Sequence, residues 1–457
     1  MTRALARGGL PAVVLAVLAG STFAQPRPAA AAVPQLVKGP YLTGLTSDSV
    51  DVRFELDAPA AATVEFSAEE DAGAPRAVQD TPVSMHEVHV AGLEPAKAYT
   101  YVVRPAGGAP ASPLGHFVTA PRDDSDAPIR FLLYGDDRSD VQVHAALVRA
   151  MTAIPSDFLV NTGDIVADGG NPLDWQSFFD VEGALLRDRA LFLCIGNHEL
   201  YDDEAGSRFA RYFGYPDASG TLRPYGTMRW SNARFFFLNG MHDWTQGPER
   251  AWLEKALADA DHEAALFWRF VVVHHGAWSS GPHGENRKLD DAGIPELLAK
   301  HGVDLVLSGH DHVYERGSAA LKYVISGGGG AKLYTIDHPI AASRKAEASY
   351  HFVEMRTSAN RLSLTMHRLD GTIGDTCGFE HGKDWDCDGS PGAAAASPTA
   401  TGGTSPGDAS RTASSRGKCG CALPGAGGPA AWTERGGWSA IVAGLAAIVA
   451  RRLRRRA

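Results

Sequence analysis

Cysteine is scarce, with five residues in a chain of 457. That excludes a small disulfide-built scaffold, so the chain must rest on buried apolar cores, and it is long enough for two domains. No sustained basic face occurs before the last few residues, and the formal net charge is -10. The electrostatic footprint of nucleic-acid binding is therefore missing, and no nucleic-acid partner is expected. The apolar run near the C-terminus, Trp438 to Ala450, covers 13 residues, whereas about 20 are usual for a bilayer span. What is present is a globular composition, 44% hydrophobic and 21% charged.

The two ends differ from the middle. Residues 1–32 carry Arg3 and Arg7, an apolar segment from Leu10 to Ala19, and small residues suited to cleavage near Ala24 or Ala32. This is the pattern of a secretory signal peptide, which predicts export. Residues 389–417 are rich in Pro, Gly, Ser and Thr and read as a flexible linker. Residues 419–457 hold Cys419 and Cys421, the short apolar run and the terminal RRLRRR. That tail resembles the bacterial MYXO-CTERM sorting signal. The resemblance implies recognition by sorting machinery or membrane, and a secreted or surface-displayed, tethered protein. Cys377 and Cys387 suit a small disulfide loop, and Cys194, within LFLCIG, reads as an inert core thiol.

Between the ends, residues 35–121 alternate in short β-like pieces separated by turns: SVDVRFEL, ATVEFSA, HEVHVAG, TYVVRPA and GHFVTAP. They predict a small all-β sandwich, and GLEPAKAYTYVV resembles the end of a fibronectin type III module. His86 and His89 read as ordinary strand histidines. Over residues 128–375 the pattern changes to continuous apolar strands, IRFLLYG, DFLVNTG, ALFLCIG, ARFFFLNG, RFVVVHH and DLVLSGH, with helical segments such as VQVHAALVRAMTAI and PERAWLEKALADAD. Strands apolar on both faces need cover on both faces, so a layered α/β (α+β) fold is predicted, a β-sandwich flanked by helices. LKYVISGG, YHFVEMRT and RLSLTMHR suggest a second sheet or antiparallel edges.

Five strand ends terminate in metal-capable side chains: Asp136 in YGDD, Asp164 in NTGD, Asn197 and His198 in IGNHE, His274 in VVVHH, and His310 and His312 in SGHDH. Rigid strands can bring such distant residues to one edge. A carboxylate such as Asp164 has two oxygens and can bridge two cations, while the Asn oxygen and imidazole nitrogens complete a mixed donor set. That mixture favours Zn, Mn or Fe over an all-oxygen calcium site.

The series GD, GD, GNHE, HH, GHDH resembles the calcineurin-like metallophosphoesterases, the purple acid phosphatases in particular, and KGPYL at 38–42 is similar to that group's opening. The resemblance implies two divalent or mixed-valence transition-metal ions (Fe, Zn or Mn), one held by Asp136, Asp164 and His312, the other by Asp164, Asn197, His274 and His310. It further implies hydrolysis of phosphate esters, in the manner of an acid phosphatase acting on a small phosphorylated substrate, by a metal-bound hydroxide, with His198 facing the phosphate. A phosphodiesterase acting on nucleotides or phospholipid headgroups, and a non-catalytic surface recognition protein, are the alternatives.

Two positions depart from that pattern. Ala167 stands three residues after Asp164, where purple acid phosphatases carry the tyrosine that colours their iron, so no such colour is expected. Arg138 stands two residues after Asp136, where many related enzymes carry a histidine ligand; a guanidinium has no lone pair to give a metal. Arg138 either contacts phosphate or pairs with Asp137 or Asp140, and His144 is either the missing ligand of the first metal or a helix-packing residue. His283, in the loop from Ser279 to Lys288, is a further possible contact to substrate.

Overall fold

The computed structural model describes residues 33–71 and 75–387; the expected leader, linker and C-terminal segment lie outside the described residues. Strands β1 (Leu36–Thr43), β2 (Ser49–Ala68), β3 (Arg76–Ala91), β4 (Ala98–Pro105) and β5 (Gly115–Val118) pair antiparallel into one curled sheet, ordered β1-β2-β4-β5 with β3 against β2. The pieces SVDVRFEL and ATVEFSA belong to a single strand. Pro59 cannot donate to a ladder, but it falls inside the register shift between Glu55 and Ala60, where no ladder bond is lost.

This sheet is not strung on a linker; the described residues fall in one compact unit. The Tyr41 hydroxyl and Arg53 Nη1 both donate to the Tyr212 carbonyl at 2.9 Å, and the Tyr101 hydroxyl donates to the Arg187 carbonyl at 2.8 Å. Each of these side chains is buried.

The rest of the chain forms two sheets packed face to face. In the first, β6 (Ile129–Tyr134), β7 (Phe158–Asn161) and β8 (Leu191–Leu193) are parallel, and the antiparallel strands His351–Ser358, Arg361–Arg368 and Ile373–Glu380 extend it beyond β6. The second is built on the parallel strands Ala233–Leu238, Trp268–Val273, Leu305–Ser308 and Lys322–Ser326. Of the late segments, then, YHFVEMRT and RLSLTMHR edge the first sheet while LKYVISGG joins the second.

Alternation along each strand sorts its residues between layers. Ile129, Phe131 and Leu133 of β6 face the inter-sheet core, where the Phe131 ring lies 5.3 Å from Phe235 and Phe235 lies 4.6 Å from Phe270. Removing the Phe131 ring would cost roughly 3–5 kcal/mol. Leu132 and Tyr134 face outward into a second core under α1 (Val141–Thr152) and α2 (Pro172–Asp188). Helices Pro248–Ala260 and Ile294–Lys300 cover the outer face of the second sheet. The result is the helix-flanked β-sandwich read from the sequence.

The start of α1 is fixed by Asp140, whose carboxylate accepts from the Gln142 and Val143 amides at 3.1 Å. Cys377 and Cys387 are disulfide-bonded, and Cys194 is a buried free thiol.

Candidate metal centre

All the metal-capable residues leave the same edge of the two sheets, because each follows the last residue of a parallel strand. Three of them take a backbone conformation rare outside glycine: φ is 56° at Asp136, 58° at Asp164 and 69° at His310. Such residues cost of order 1–3 kcal/mol each and persist only where surrounding contacts enforce them. Here the turn lets a short side chain double back over the strand end.

The donors then point at one another. His274 Nδ1 donates to the Thr162 carbonyl at 2.7 Å, which turns Nε2 into the cluster; burial opposes a charge on this ring, but Asp164 and Asp136 raise it to about 9, so without an ion a proton on Nε2 takes the place a cation would fill. That nitrogen sits 3.3 Å from Asp164 Oδ1 and 3.2 Å from both Asn197 Oδ1 and His310 Nδ1. His312 donates Nδ1–H to the Lys332 carbonyl at 2.7 Å, so its bare Nε2 faces Asp136 Oδ1 at 3.5 Å. Asp136 Oδ1 is buried without a hydrogen-bond partner. Acceptor atoms facing acceptor atoms in a buried space are what bound cations would resolve. Gly309 and Gly196 keep that space open, since a Cβ at either would collide with the Asp136 or Asp164 carboxylate.

Electrostatics give the same fit. Burial drives the Asp136 carboxyl up, the sign of a carboxylate short of positive charge. Burial also opposes ionisation of Asp164, but His274, His198 and Arg138 outweigh it and hold that carboxyl well below the usual range. His310 is pushed down to about 2 by burial and then by His274, His275 and His283; His312 is pushed down to about 4 by burial and then by Arg138. Both rings are thus neutral, the form that binds a metal.

Arg138 lies beside this centre. Its Nε is 3.1 Å from Asp164 Oδ2 and its Nη2 is 3.3 Å from His312 Nε2. The expected pairing with Asp137 or Asp140 does not occur: Asp140 caps α1 and Asp137 Oδ1 accepts from Asn161 at 2.8 Å. His198 donates its backbone amide to Asp164 Oδ1 at 3.0 Å and anchors Nδ1 on the Ala167 carbonyl at 2.6 Å, which leaves Nε2 toward the cleft.

His144 is the main correction. Once Asp140 caps α1, the helical phase turns His144 toward α2, where its Nε2 is 2.8 Å from Glu182 Oε1 and 3.4 Å from Asp137 Oδ2. It therefore does not complete a site with Asp136. Among the described residues, two buried clusters could each hold a metal ion, Asp136 with Asp164 and His274, and Asp137 with His144 and Glu182. The first of these, together with Asn197, His310 and His312, supplies the donors of a binuclear divalent-metal arrangement.

Sequence reasoning missed Glu199, the last residue of IGNHE. Fully buried, it accepts from the amides of Gly196 at 2.6 Å, Asp164 at 2.9 Å, Ile165 at 2.8 Å and Val166 at 3.3 Å. It locks the loop after β7 to the loop after β8; its place beside His198 was the only signal. His283 is tied to Asp311 (Nδ1 to Oδ1, 2.9 Å), and its ring lies 4.3 Å from that of His310. Tyr334, also missed, stacks on His312 at 4.1 Å. His86 and His89 pair with Asp80 and Asp51, far along the N-terminal sheet.

Clustered oxygen and nitrogen donors on the strand edge of such a sandwich define a metal-dependent phosphoesterase, a hydrolase. Residues 139–314 match the family described as Calcineurin-like phosphoesterase. Purple acid phosphatase 17 of Arabidopsis thaliana is 26% identical over 295 residues, covering 54% of this chain and 83% of the relative. Purple acid phosphatase 4 of the same plant is 24% identical, over 54% of this chain and 82% of its own. In fold, the chain is similar to purple acid phosphatase PPD1 from yellow lupin (Lupinus luteus) seeds, with a TM-score of 0.63 at 18% identity over 76% of this chain and 74% of that one. The chain thus carries a calcineurin-like metallophosphoesterase domain related to the purple acid phosphatases.

Proposed function

We propose that the enzyme is a phosphomonoesterase for a small phosphorylated substrate, working with two ions that share Asp164. Asp136, Asp164 and His312 would hold one, and Asp164, Asn197, His274 and His310 the other. The single observation that carries this is the convergence of oxygen and nitrogen ligand atoms of Asp164, Asn197 and His310 within 3.3 Å of one nitrogen, His274 Nε2.

When bound, the ions supply Lewis-acid polarisation of phosphoryl oxygens and an activated water. The chain's own groups do the rest. Arg138, its Nε 3.1 Å from Asp164 Oδ2, offers a planar fork suited to a phosphate oxygen. His198, with Nδ1–H spent on Ala167, presents Nε2 as the atom that exchanges a proton with the leaving oxygen. His275 Nε2, 3.2 Å from the Gly284 carbonyl, helps hold the loop carrying His283 over the site. Ala167, not tyrosine, stands three residues after Asp164, so the iron-loaded protein would lack the tyrosinate-to-iron colour.

The test is hydrolysis of para-nitrophenyl phosphate against bis-para-nitrophenyl phosphate, with Mn or Zn and after chelation. A metal-dependent rate larger on the monoester is expected. A diester rate equal or larger would make it a phosphodiesterase, and no metal-dependent rate on either would leave a recognition protein.

The proposal extends to the rest of the chain. The N-terminal curled sheet is a fibronectin type III-like module, a reading supported by GLEPAKAYTYVV. Residues 1–32 direct export, and residues 419–457 tether the enzyme at the cell surface, supported by the charge and apolar patterns of those segments.

A further inference from the structure

The second buried cluster lies away from the cleft, between β6, α1 and α2. Asp137 follows β6, His144 sits in the first turns of α1, and Glu182 is in the middle of α2. None of the three is more than 4% exposed, and their donor atoms lie within 4.8 Å of one another. Asp137 Oδ2 and Glu182 Oε2 are buried without a hydrogen-bond partner, and the buried Tyr134 hydroxyl lies beside Glu182 and Asn161. Such groups are rare in folded proteins and call for an explanation.

Hydrogen bonding supplies only part of one. Asn161 satisfies only Asp137 Oδ1, and the His144 ring has a single Nε2 to share between two carboxylates, 2.8 Å from one and 3.4 Å from the other. With both carboxyls ionised, a protonated His144 still leaves one negative charge uncompensated in an apolar layer of Phe178, Leu147 and Leu186. A divalent cation removes both defects, since it accepts Nε2 and the two free oxygens and brings two positive charges. Two carboxylates and an imidazole suit zinc or manganese at bonds of about 2.0–2.2 Å.

We propose that Asp137, His144 and Glu182 form a third, closed cation site, with the Tyr134 hydroxyl beside it, that clamps α1 and α2 to the end of β6. No part of it opens to the cleft, so its ion is structural and touches no substrate. It goes beyond the two-ion reading above and does not depend on it.

Anomalous diffraction at the zinc edge, from crystals of the full chain grown with zinc, tests this directly. A peak among Asp137, His144 and Glu182 is expected, separate from any peak at Asp164. Peaks at Asp164 alone would overturn the closed site, and a peak at the closed site alone would instead overturn the two-ion reading. In solution, zinc content after chelation and reloading should fall by one ion per chain in His144→Ala and in the near-isosteric Glu182→Gln, with part of the zinc-dependent rise in Tm lost. Asp164→Asn should lose the cleft ions and keep that one. An unchanged ion count in Glu182→Gln, or a wild-type count of two with none lost in His144→Ala, would sink the proposal.

Discussion

Asp136 and Asp137 are neighbours in sequence, yet each belongs to a different cluster. Asp136 doubles back over the strand edge, toward bare imidazole nitrogens and a partly open cleft; Asp137 turns under the helices, toward one histidine and one glutamate with no opening. The difference teaches that metal-competent chemistry and catalytic placement are separate properties. Both clusters have carboxylates and histidine, but only the one at the strand edge is surrounded by groups that can reach a substrate, Arg138 and His198 among them.

The sharpest way to break the comparison is Asp164→Asn. If Asp164 serves two ions, hydrolysis of para-nitrophenyl phosphate should fall on the order of 10³-fold, as expected when several kcal/mol of charge stabilisation vanish, while Tm changes little.

His351 sharpens the buried side. It is as buried as His144 but has no carboxylate partner, only the Ser349 carbonyl on Nδ1 at 2.8 Å and the Ser326 hydroxyl on Nε2 at 3.2 Å. Burial lowers His351 to about 4, whereas for His144 the downward push of burial is outweighed by Asp137 and Glu182, which raise it. Because the folded value of His351 is the depressed one, its contribution is intact above the unfolded value of about 6.5 and is lost as pH falls toward 4. Over that window urea denaturation should show up to about 3 kcal/mol of acid destabilisation, and His351→Gln should flatten it.

Glu199→Gln tests whether the cleft cluster depends on its loop clasp. Zinc titration should show binding there about 10–100-fold weaker, the usual effect of losing a group that orients ligands. The smallest effect is expected from Arg138→Ala, about tenfold in KM with kcat little changed if the guanidinium binds phosphate in ground and transition states alike; an unchanged KM would reduce Arg138 to an ion-pair partner of Asp164.

The strand ends were legible because each ligand directly follows an apolar run, and the layers because those runs are apolar on both faces. His144 was not, since its direction depends on where Asp140 starts the helix, and one residue of helical phase rotates a side chain by about 100°. Arg138 was half legible: its chemistry excluded ligation, but its partner Asp164 is 26 residues away and reaches it only through the fold. The continuity of β2 through Pro59 was hidden because a proline normally ends a strand, and only the bulge excuses it.

Glu199 binds the segments 164–166 and 196 through four amides, so these two loops behave as one mechanical part. Anyone transplanting this centre to another scaffold, or recombining it with a relative, would have to move both segments and the glutamate as a single cassette. A crossover placed between them would carry every ligand across and still deliver a misaligned site.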